Sequence, residues 1–246
     1  MEVPAACHIH SSWSYDGTFS LSDLSVKFSA RGCRVLMMTE HDRGFSEAHF
    51  QRFREACANA SSREILVMPG IEYSDAENRV HVLAWGLNSF LGENLPTAAM
   101  LEAAKAANGV TVLAHPTRRT AWSVFEPHWT ELLLGIEAWN RKYDGWAPST
   151  AAPALLNAGR LVPFVGLDFH TDRQLFPLMM ALDIEGNITE ASVVRCLRSR
   201  RCHARAFGQP LHGSALRVSK AALRVAEQGR RTAALAVRSA KAMVRA

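Results

Sequence analysis

The order of apolar and polar positions predicts that strands and helices alternate along most of the chain. Short apolar runs, such as the Val-Leu-Met-Met run within 34–39, alternate with stretches whose apolar residues recur at helical spacing. A continuous apolar run of this length is typical of a strand buried in a parallel sheet. We predict strands at 5–10, 34–39, 65–68, 80–85, 110–113, 135–139, 161–165 and 178–184, and helices at 20–32, 46–60, 97–108, 148–158 and 189–198.

This alternation favours one α/β barrel over two separate domains. Six or seven β–α alternations fit within the first 206 residues, and the sequence contains neither an internal repeat nor a low-complexity linker. The first strand-to-helix turn lacks the glycine-rich GxGxxG and GxxxxGK motifs that bind nucleotide phosphates. An open doubly wound sheet is the alternative that this pattern leaves.

The composition is that of an ordinary soluble globular protein with one large core. The chain has 246 residues, of which 48% are hydrophobic and 21% charged, which excludes a disordered chain, a collagen-like repeat and a small disulfide scaffold. No apolar run reaches the roughly eighteen residues that a transmembrane helix needs, and the first residues lack the features of a signal peptide. The five cysteines form no CxxC pair, which suits reduced thiols. We therefore expect a cytoplasmic protein.

The net charge of +5 conceals a basic C-terminal tail on an acidic body. Residues 195–246 carry 13 lysines and arginines against one acidic residue, whereas residues 1–194 carry 15 against 22. We predict a β/α barrel domain over 1–207 and a basic amphipathic helical tail over 208–246. In the tail, arginines recur every seven residues beside an apolar stripe, at positions 217, 224, 231, 238 and 245.

A cationic amphipathic helix of this kind fits three kinds of partner. Its apolar side can pack on the barrel or on a second subunit of a homo-oligomer. Its charge suits an anionic membrane surface, and the same charge suits nucleic acid. The sequence leaves all three open.

Histidines and carboxylates occur where the predicted strands end. His8 and His10 form a His-x-His pair at the end of the first strand, and Asp168 and His170 form an Asp-x-His pair after a late one. Residues at i and i+2 on a strand point to the same side, so both members of a pair can reach one cation. Further residues of this kind are Asp16, His41, Glu72, His81 and His115.

Together these nine residues predict a catalytic metal centre. The C-terminal ends of parallel strands form one face of a barrel, which is where barrel enzymes place their active sites. Histidine combined with carboxylate and without cysteine suits Zn, Mn or Fe at a catalytic site better than a structural zinc. Because several imidazoles share few carboxylates, we expect two or three divalent metal ions close together.

The motifs around these residues resemble those of the PHP (polymerase and histidinol phosphatase) family, in the same order. They are HIHSSWSYDG at 8–17, EHD at 40–42, PGIE at 69–72, HP at 115–116 and GLDFH at 166–170. The resemblance covers residues 5–206 and implies a distorted seven-stranded β/α barrel of TIM-like form that binds two or three ions of Zn, Mn or Fe. All nine positions are kept, which argues against the metal-free versions of this domain in some replicative polymerases.

Carried over position by position, the resemblance implies three sets of ligands. The first metal is held by His8, His10, Glu72 and Asp168, the second by Glu72, His81 and His115, and the third by Asp16, His41 and His170. Asp16 stands where some members of the family have histidine. This replacement makes the third site harder, which favours Mn or Fe over Zn or weakens its occupancy.

The activity that the resemblance implies is hydrolysis of a small phosphomonoester or a nucleotide. A hydroxide that bridges the metals would attack phosphorus while the metals stabilise the developing charge. We predict Glu72, Asp168 and His170 as the catalytic residues. Three arginines that follow the late motifs are predicted to bind the substrate phosphate, because a guanidinium pairs with two phosphate oxygens; they are Arg118, Arg119 and Arg173.

Other functions stay open at this level. They are a nuclease of the same fold that acts on nucleic acid ends with help from the tail, a non-catalytic metal-binding module, and a hydrolase of carbon–nitrogen bonds. Tryptophans near predicted strand ends or loops are candidates for stacking on a ring of the substrate; they are Trp13, Trp122, Trp139 and Trp146.

Overall fold

The structure, a computed structural model, describes residues 1–149, 152, 156, 161–211 and 221–235. Its strands are β1 (Glu2–Ile9), β2 (Val35–Met38), β3 (Glu40–His41), β4 (Leu66–Met68), β5 (Gly70–Ser74), β6 (His81–Trp85), β7 (Val110–Leu113), β8 (Gly135–Asn140), β9 (Val162–Gly166), β10 (Leu178–Asp183), β11 (Cys202–Ala206) and β12 (Gln209–Pro210). Its helices are α1 (Leu21–Ser29), α2 (Glu47–Ala60), α3 (Thr97–Ala106) and α4 (Glu190–Arg198), with a further helical segment at 221–235. Among the described residues, no helix is long and apolar enough to span a membrane.

The strands lie in two mixed sheets of six strands each. The first has the order β12-β11-β10-β1-β2-β4, in which β1, β2 and β4 are parallel and β10 is antiparallel to β1. The second has the order β3-β5-β6-β7-β8-β9, in which β6 is antiparallel to both of its neighbours. The predicted α/β class is therefore confirmed. Over the described ranges the strands form no single closed ring, so the seven-stranded barrel is not confirmed.

Breaks in the extended chain explain why the strands form two sheets and not the single closed ring that was predicted. Thr39 separates β2 from β3, and Pro69 separates β4 from β5, so each pair is one extended path that changes sheet. On the far side, an isolated bridge joins Ile9 of β1 to Phe169, just after β9. There the Phe169 N–H donates to the carbonyl of His8 at 3.0 Å, and the His10 N–H donates to the carbonyl of Phe169 at 2.9 Å. The ends of β1 and β9 consequently meet, which brings the residues beside them into one site.

Of the helices α1 to α4 in the described part of the chain, α1, α2 and α4 begin where a polar side chain caps them, whereas α3 begins after Pro96 without a side-chain cap. Ser20 and Asp23 form a capping box at the start of α1, and the hydroxyl of Ser46 accepts the His49 N–H at the start of α2. These caps confirm the two predicted helix starts. Most of the predicted helix at 148–158 lies outside the described residues.

Two features of the strands differ from the sequence prediction. Glu72 lies in the middle of β5 and not at the end of a strand, because Pro69 divides the apolar run and a new strand begins at Gly70. The first sheet also contains β11 and β12, which were not predicted, and β12 lies beyond residue 207. In β11, Cys-His-Ala-Arg-Ala, the buried residues are alanines that lie beside partly exposed polar residues, so the sequence contains no apolar run that would predict a strand.

The 221–235 segment, which belongs to the predicted basic tail, packs on the loop after β8. Glu227 is buried in the middle of this segment, and its Oε2 accepts the Trp146 N–H at 3.0 Å. Gly145 has a φ of 75°, and a Cβ there would overlap the Glu227 carboxylate, so only glycine allows this approach. Of the five arginines in the seven-residue pattern, Arg224 and Arg231 are described, and those at 217, 238 and 245 lie outside the described residues.

Candidate metal centre

The nine predicted ligands converge at one end of the two sheets. Their positions are His8 in β1, His10 directly after it, Asp16 in the next loop, His41 in β3, Glu72 in β5, His81 at the start of β6, His115 after β7, and Asp168 and His170 after β9. Each of the three carboxylates contacts at least two of the imidazoles. The fold thus brings residues from most of the chain into one cluster.

Glu72 is the centre of this cluster. Its side chain is 2% exposed, and its two oxygens lie between 2.8 and 3.5 Å from nitrogens of five imidazoles. These imidazoles belong to His8, His10, His41, His81 and His115. A single carboxylate surrounded in this way is suited to bridge two cations, because each oxygen has its own group of nitrogen donors.

Asp168 faces the same imidazoles from the other side. Its Oδ1 lies 3.8 Å from Nε2 of both His8 and His10 and 3.3 Å from Nδ1 of His170, and its Oδ2 lies 3.9 Å from Nε2 of His115. Most of these distances are too long for hydrogen bonds. They match the separation of about 3–4 Å between two ligands that each lie about 2 Å from one ion.

Asp16 joins the two remaining imidazoles. Its Oδ1 lies 3.2 Å from Nε2 of His41, and its Oδ2 lies 3.1 Å from Nε2 of His170. The Asp16 side chain is 36% exposed, whereas Asp168 is 3% exposed. This part of the cluster is therefore closer to solvent than the part around Glu72.

The ligand atoms form three groups compact enough to hold an ion each. Within each group the atoms lie within 4.8 Å of one another. The groups are His8, His10 and Asp168; His8, Glu72 and His115; and His10, His41 and His170. They share members, as expected of ions held close together.

Several buried nitrogens in the cluster have no hydrogen-bond partner. Among the described residues these include Nε2 of His8 and of His10. Buried polar atoms normally have a partner, and both of these nitrogens face carboxylates. Imidazole nitrogen with carboxylate oxygen is a donor set that Zn, Mn and Fe accept. The residues present therefore fit a divalent metal ion.

The backbone is strained at three of the candidate ligands. His8, His115 and Asp168 have φ values of 62°, 21° and 48°. Non-glycine residues seldom adopt positive φ, and such strain costs about 1–3 kcal/mol per residue. At His8 the strain coincides with a register shift between β1 and β2. The backbone is thus bent where an imidazole or a carboxylate must turn toward the cluster.

The imidazoles differ widely in proton affinity. Burial lowers the pKa of His41, but hydrogen bonds to Asp16 and Glu72 outweigh burial and raise this pKa to about 10. Burial also lowers the pKa of His8, and the charges of Glu137 and Asp168 bring it above its ordinary value. At His10, by contrast, burial lowers the pKa well below its ordinary value. A divalent cation would replace the protons on His8 and His41, because it needs the same nitrogens.

Glu137 orients two of the ligands and was missed in the sequence. It lies fully buried in β8, where its Oε1 is 2.9 Å from Nδ1 of His8 and its Oε2 accepts the His115 N–H at 2.7 Å. The amide of Asn140 donates to the same Oε2 at 2.8 Å. Carboxylates that hold a metal-binding histidine in this way fix its tautomer and direction. The available signal was a lone carboxylate inside the apolar strand Gly-Ile-Glu-Ala-Trp.

Ser14 and Glu40 support the cluster from the side of β1. The hydroxyl of Ser14 lies 3.3 Å from Nδ1 of His10, accepts the His41 N–H at 3.0 Å and donates to the Glu40 carboxylate. Ser11 donates its N–H and its hydroxyl to the same carboxylate. Glu40 belongs to the EHD motif, but its part in this network follows only from the structure.

A cavity of about 420 Å³ opens over the cluster. Of the three arginines predicted to bind phosphate, Arg118 lines this cavity, and its Nη1 donates to the carbonyl of Asn78 at 2.8 Å. Among the described residues that line the cavity, neither Arg119 nor Arg173 occurs. The guanidinium of Arg119 donates to the carbonyl of Asn78 at 3.2 Å.

Lys142 is a second cation in the cavity. Its Nζ lies 3.2 Å from Oδ1 of Asp168 and 3.4 Å from Nε2 of His170. Burial lowers the pKa of Lys142, but the charge of Asp168 more than compensates and raises this pKa above its ordinary value. The ammonium therefore stays charged beside the candidate ligands.

Comparisons with known proteins agree with this fold. No protein-family model and no curated protein matches the chain. A two-domain protein from Bacteroides vulgatus ATCC 8482, described as containing a predicted PHP-like metal-dependent phosphoesterase, is 19% identical with a TM-score of 0.66. The match covers 84% of this chain and 65% of that protein, so the chain spans less than two thirds of its length.

Two further solved structures are similar. PsfC from Pseudomonas syringae PB-5123 is 17% identical with a TM-score of 0.61, over 94% of this chain and 98% of that one. An amidohydrolase from Chromobacterium violaceum, with bound SO4 and no metal, is 16% identical with a TM-score of 0.49, over 68% and 88%. At these identities the similarity establishes the fold alone. The resemblance to the PHP family is confirmed at that level.

Proposed function

We propose that this chain is a metal-dependent phosphoesterase that hydrolyses a small phosphomonoester or a nucleotide. The observation that carries the proposal is the cluster of six imidazoles around Glu72 and Asp168, with buried ring nitrogens that have no hydrogen-bond partner. A donor set of this size at the floor of a cavity exceeds what a single structural ion needs. The fold shared with a protein described as PHP-like supports the phosphoester as the bond that is cleaved.

The proposed ligand sets follow the geometry of the cluster. His8, His10, Glu72 and Asp168 would hold one ion, Glu72, His81 and His115 a second, and Asp16, His41 and His170 a third. Two or three ions of Zn, Mn or Fe would activate water and neutralise phosphoryl oxygens when bound. Glu137 keeps Nε2 of His8 directed at the cluster by holding its Nδ1 at 2.9 Å.

In the reaction, a water oxygen forms a bond to phosphorus, the ester bond breaks, and the alcohol oxygen takes up a proton. Arg118 and Lys142 lie on the cavity wall, where their charges can bind the phosphoryl oxygens of the substrate. Of the three predicted catalytic residues, Glu72 and Asp168 line the cavity, and Nδ1 of His170 lies 3.3 Å from Oδ1 of Asp168. Because Asp168 pairs with Lys142 at 3.2 Å, it also directs this ammonium toward the substrate.

The test is metal content measured together with phosphatase activity. The purified protein should contain two or three divalent metal ions per chain, and it should hydrolyse p-nitrophenyl phosphate or a nucleotide, with activity that a chelator removes and Mn²⁺ restores. Asp168→Asn and His10→Ala should lose activity. Asp172→Asn and His128→Ala change exposed residues outside the cluster and serve as matched controls. Bound metal without hydrolysis of any phosphoester would overturn the proposal.

The binding partners of the basic tail need tests of their own. The described part of the tail packs on the protein's own body through Glu227, and a homo-oligomer, an anionic membrane surface and nucleic acid stay predictions. Salt-sensitive binding of single-stranded DNA that disappears on removal of residues 212–246 would favour a nuclease. Liposome binding lost on the same removal would favour a membrane surface.

A further inference from the structure

Two tyrosines stand at the cavity, each against a different candidate ligand. The ring centroid of Tyr15 lies 5.0 Å from that of His41, with 22° between the ring planes. The ring of Tyr143 lies 4.7 Å from that of His115, with 57° between the planes. Both tyrosines line the cavity. They therefore flank the space in which the alcohol part of a bound phosphoester would lie.

Both rings keep a large surface in contact with solvent. Tyr15 is 72% exposed and Tyr143 is 37% exposed. The imidazole of His41 lies against the ring of Tyr15, and the large exposed part of this ring leaves surface on which another ring can stack. Exposed aromatic surface that is rimmed by polar residues in a cleft commonly marks a binding site.

Cations accompany each tyrosine. The guanidinium of Arg43 lies 6.0 Å from the ring of Tyr15, and that of Arg118 lies 5.9 Å from the ring of Tyr143. Arg118 also donates from its Nε to the hydroxyl of Tyr143 at 3.0 Å, which fixes the direction of this ring. Stacking surfaces and cations are thus combined at one cavity, as they are where proteins bind a ring beside a phosphate.

The tryptophans singled out in the sequence do not supply this surface. Among the described residues that line the cavity, no tryptophan occurs. Trp13 packs on Phe53, and Trp139 is buried in the core. Trp146 lies against Arg230 of the tail segment. A ring in the substrate would accordingly meet the tyrosines.

We propose that the substrate is a phosphomonoester whose alcohol carries a planar ring, and that Tyr15 and Tyr143 select it by stacking. This inference rests on the proposed function and names its substrate class. The cavity volume of about 420 Å³ lies within the range of about 300–1,000 Å³ typical of small-molecule sites. The phosphate would face the metal ligands, with the ring at the tyrosines.

The test compares two phosphate esters of ribose, one with a base attached to the sugar and one without. AMP and ribose 5-phosphate carry the same primary phosphate, but only AMP has a base. We expect kcat/KM to be higher for AMP than for ribose 5-phosphate. Tyr15→Ala should reduce the ratio of kcat/KM for AMP to kcat/KM for ribose 5-phosphate about 5- to 20-fold, because loss of one stacking side chain produces an effect of this size. Tyr143→Ala should act in the same direction, and Tyr15→Phe should keep the ratio because the ring remains.

Trp122→Ala provides the control, because it removes an aromatic residue that is 49% exposed and does not line the cavity. The ratio of kcat/KM for AMP to kcat/KM for ribose 5-phosphate should be the same in this variant as in the unchanged protein. An equal kcat/KM for AMP and ribose 5-phosphate, or a ratio unaffected by both alanine variants, would overturn the inference and leave the phosphoesterase standing. Absence of hydrolysis of p-nitrophenyl phosphate and of both esters by metal-loaded protein would instead overturn the proposed function.

Discussion

Oε1 of Glu137 lies 2.9 Å from Nδ1 of His8, which leaves Nε2 of that imidazole facing Glu72 and Asp168. Glu137→Gln should therefore weaken metal binding without removing a ligand. We expect a loss of about 10- to 100-fold in metal affinity, as is typical when the partner of a metal-binding histidine is changed. Competition with a chromogenic chelator measures the affinity. Glu131→Gln, in an exposed turn, is the control, and equal affinities in the two variants would contradict the role of Glu137.

Gly166 leaves the space that Glu137 occupies. A Cβ on Gly166 would overlap Oε1 of Glu137 and approach the Cβ of His8 to 3.0 Å. Gly166→Ala should consequently displace the carboxylate and lower the free energy of unfolding by about 1–3 kcal/mol, the usual cost of an added methyl group in a packed interior. Urea unfolding measures this change. Gly229→Ala is the control, because it adds a methyl group in open space at a glycine without positive φ and should not lower the free energy of unfolding.

Metal binding should release protons, because His41 holds a proton in the metal-free protein. The pKa of His41 is raised to about 10, so this imidazole is charged at neutral pH and must lose its proton before it can bind an ion. Apparent metal affinity should then rise as the pH rises toward 10, by about tenfold per pH unit for each proton released. Calorimetry in buffers of different ionisation enthalpy counts these protons. A pH-independent affinity between pH 6 and 9 would contradict the prediction.

The contact between Glu227 and Trp146 should break in acid. Burial raises the pKa of Glu227, but hydrogen bonds from Arg230 and Arg231 outweigh it and lower this pKa to about 2. A carboxylate with a lowered pKa stabilises the folded contact above its ordinary pKa and loses that effect as the pH falls toward the lowered value. The tail segment should therefore detach between about pH 4.5 and 2.

Hydrogen exchange at the backbone N–H of Trp146 measures this detachment directly. Glu227→Gln should speed that exchange at neutral pH, since the charged acceptor is lost and a hydrogen bond to a charged group contributes about 1.5–3 kcal/mol. Arg224→Gln, on the exposed side of the same segment, should leave the rate as it is. Protection of Trp146 that persists in Glu227→Gln would show that other contacts hold the segment.

The sequence predicted most of the longer strands and the residues that cluster as candidate ligands, because both depend on local patterns. Continuous apolar runs predicted β2 and β7, and the spacing of His8 with His10 and of Asp168 with His170 predicted residues that meet. Contacts set by the path of the backbone could not be predicted in this way. The positive φ at His8 and Asp168 depends on neighbours from distant strands, and so does the burial of Glu137 between His8 and His115.

The arginines that line the cavity were harder to predict than the candidate metal ligands, and the reason is the length of the arginine side chain. A long side chain in a loop reaches in many directions, and only the fold decides whether it lines a cavity. Arg118 does so because Tyr143 and Asn78 hold its guanidinium. Lys142, by contrast, reaches Asp168 from the loop after β8, a contact that depends on the pairing of β8 with β9.

The pairing of β1 with β10 and with Phe169 has a consequence for how the protein is made. β1 is synthesised well before β10 and the segment around Phe169, which follow it in the chain by 160 residues or more. Domains generally fold as units, and contacts between distant segments form late. His8 and His10 accordingly meet Asp168 and His170 only after the segment that carries the second pair has been synthesised, so the nine candidate ligands come together late. We therefore expect a divalent metal ion to bind only after this segment has folded onto β1.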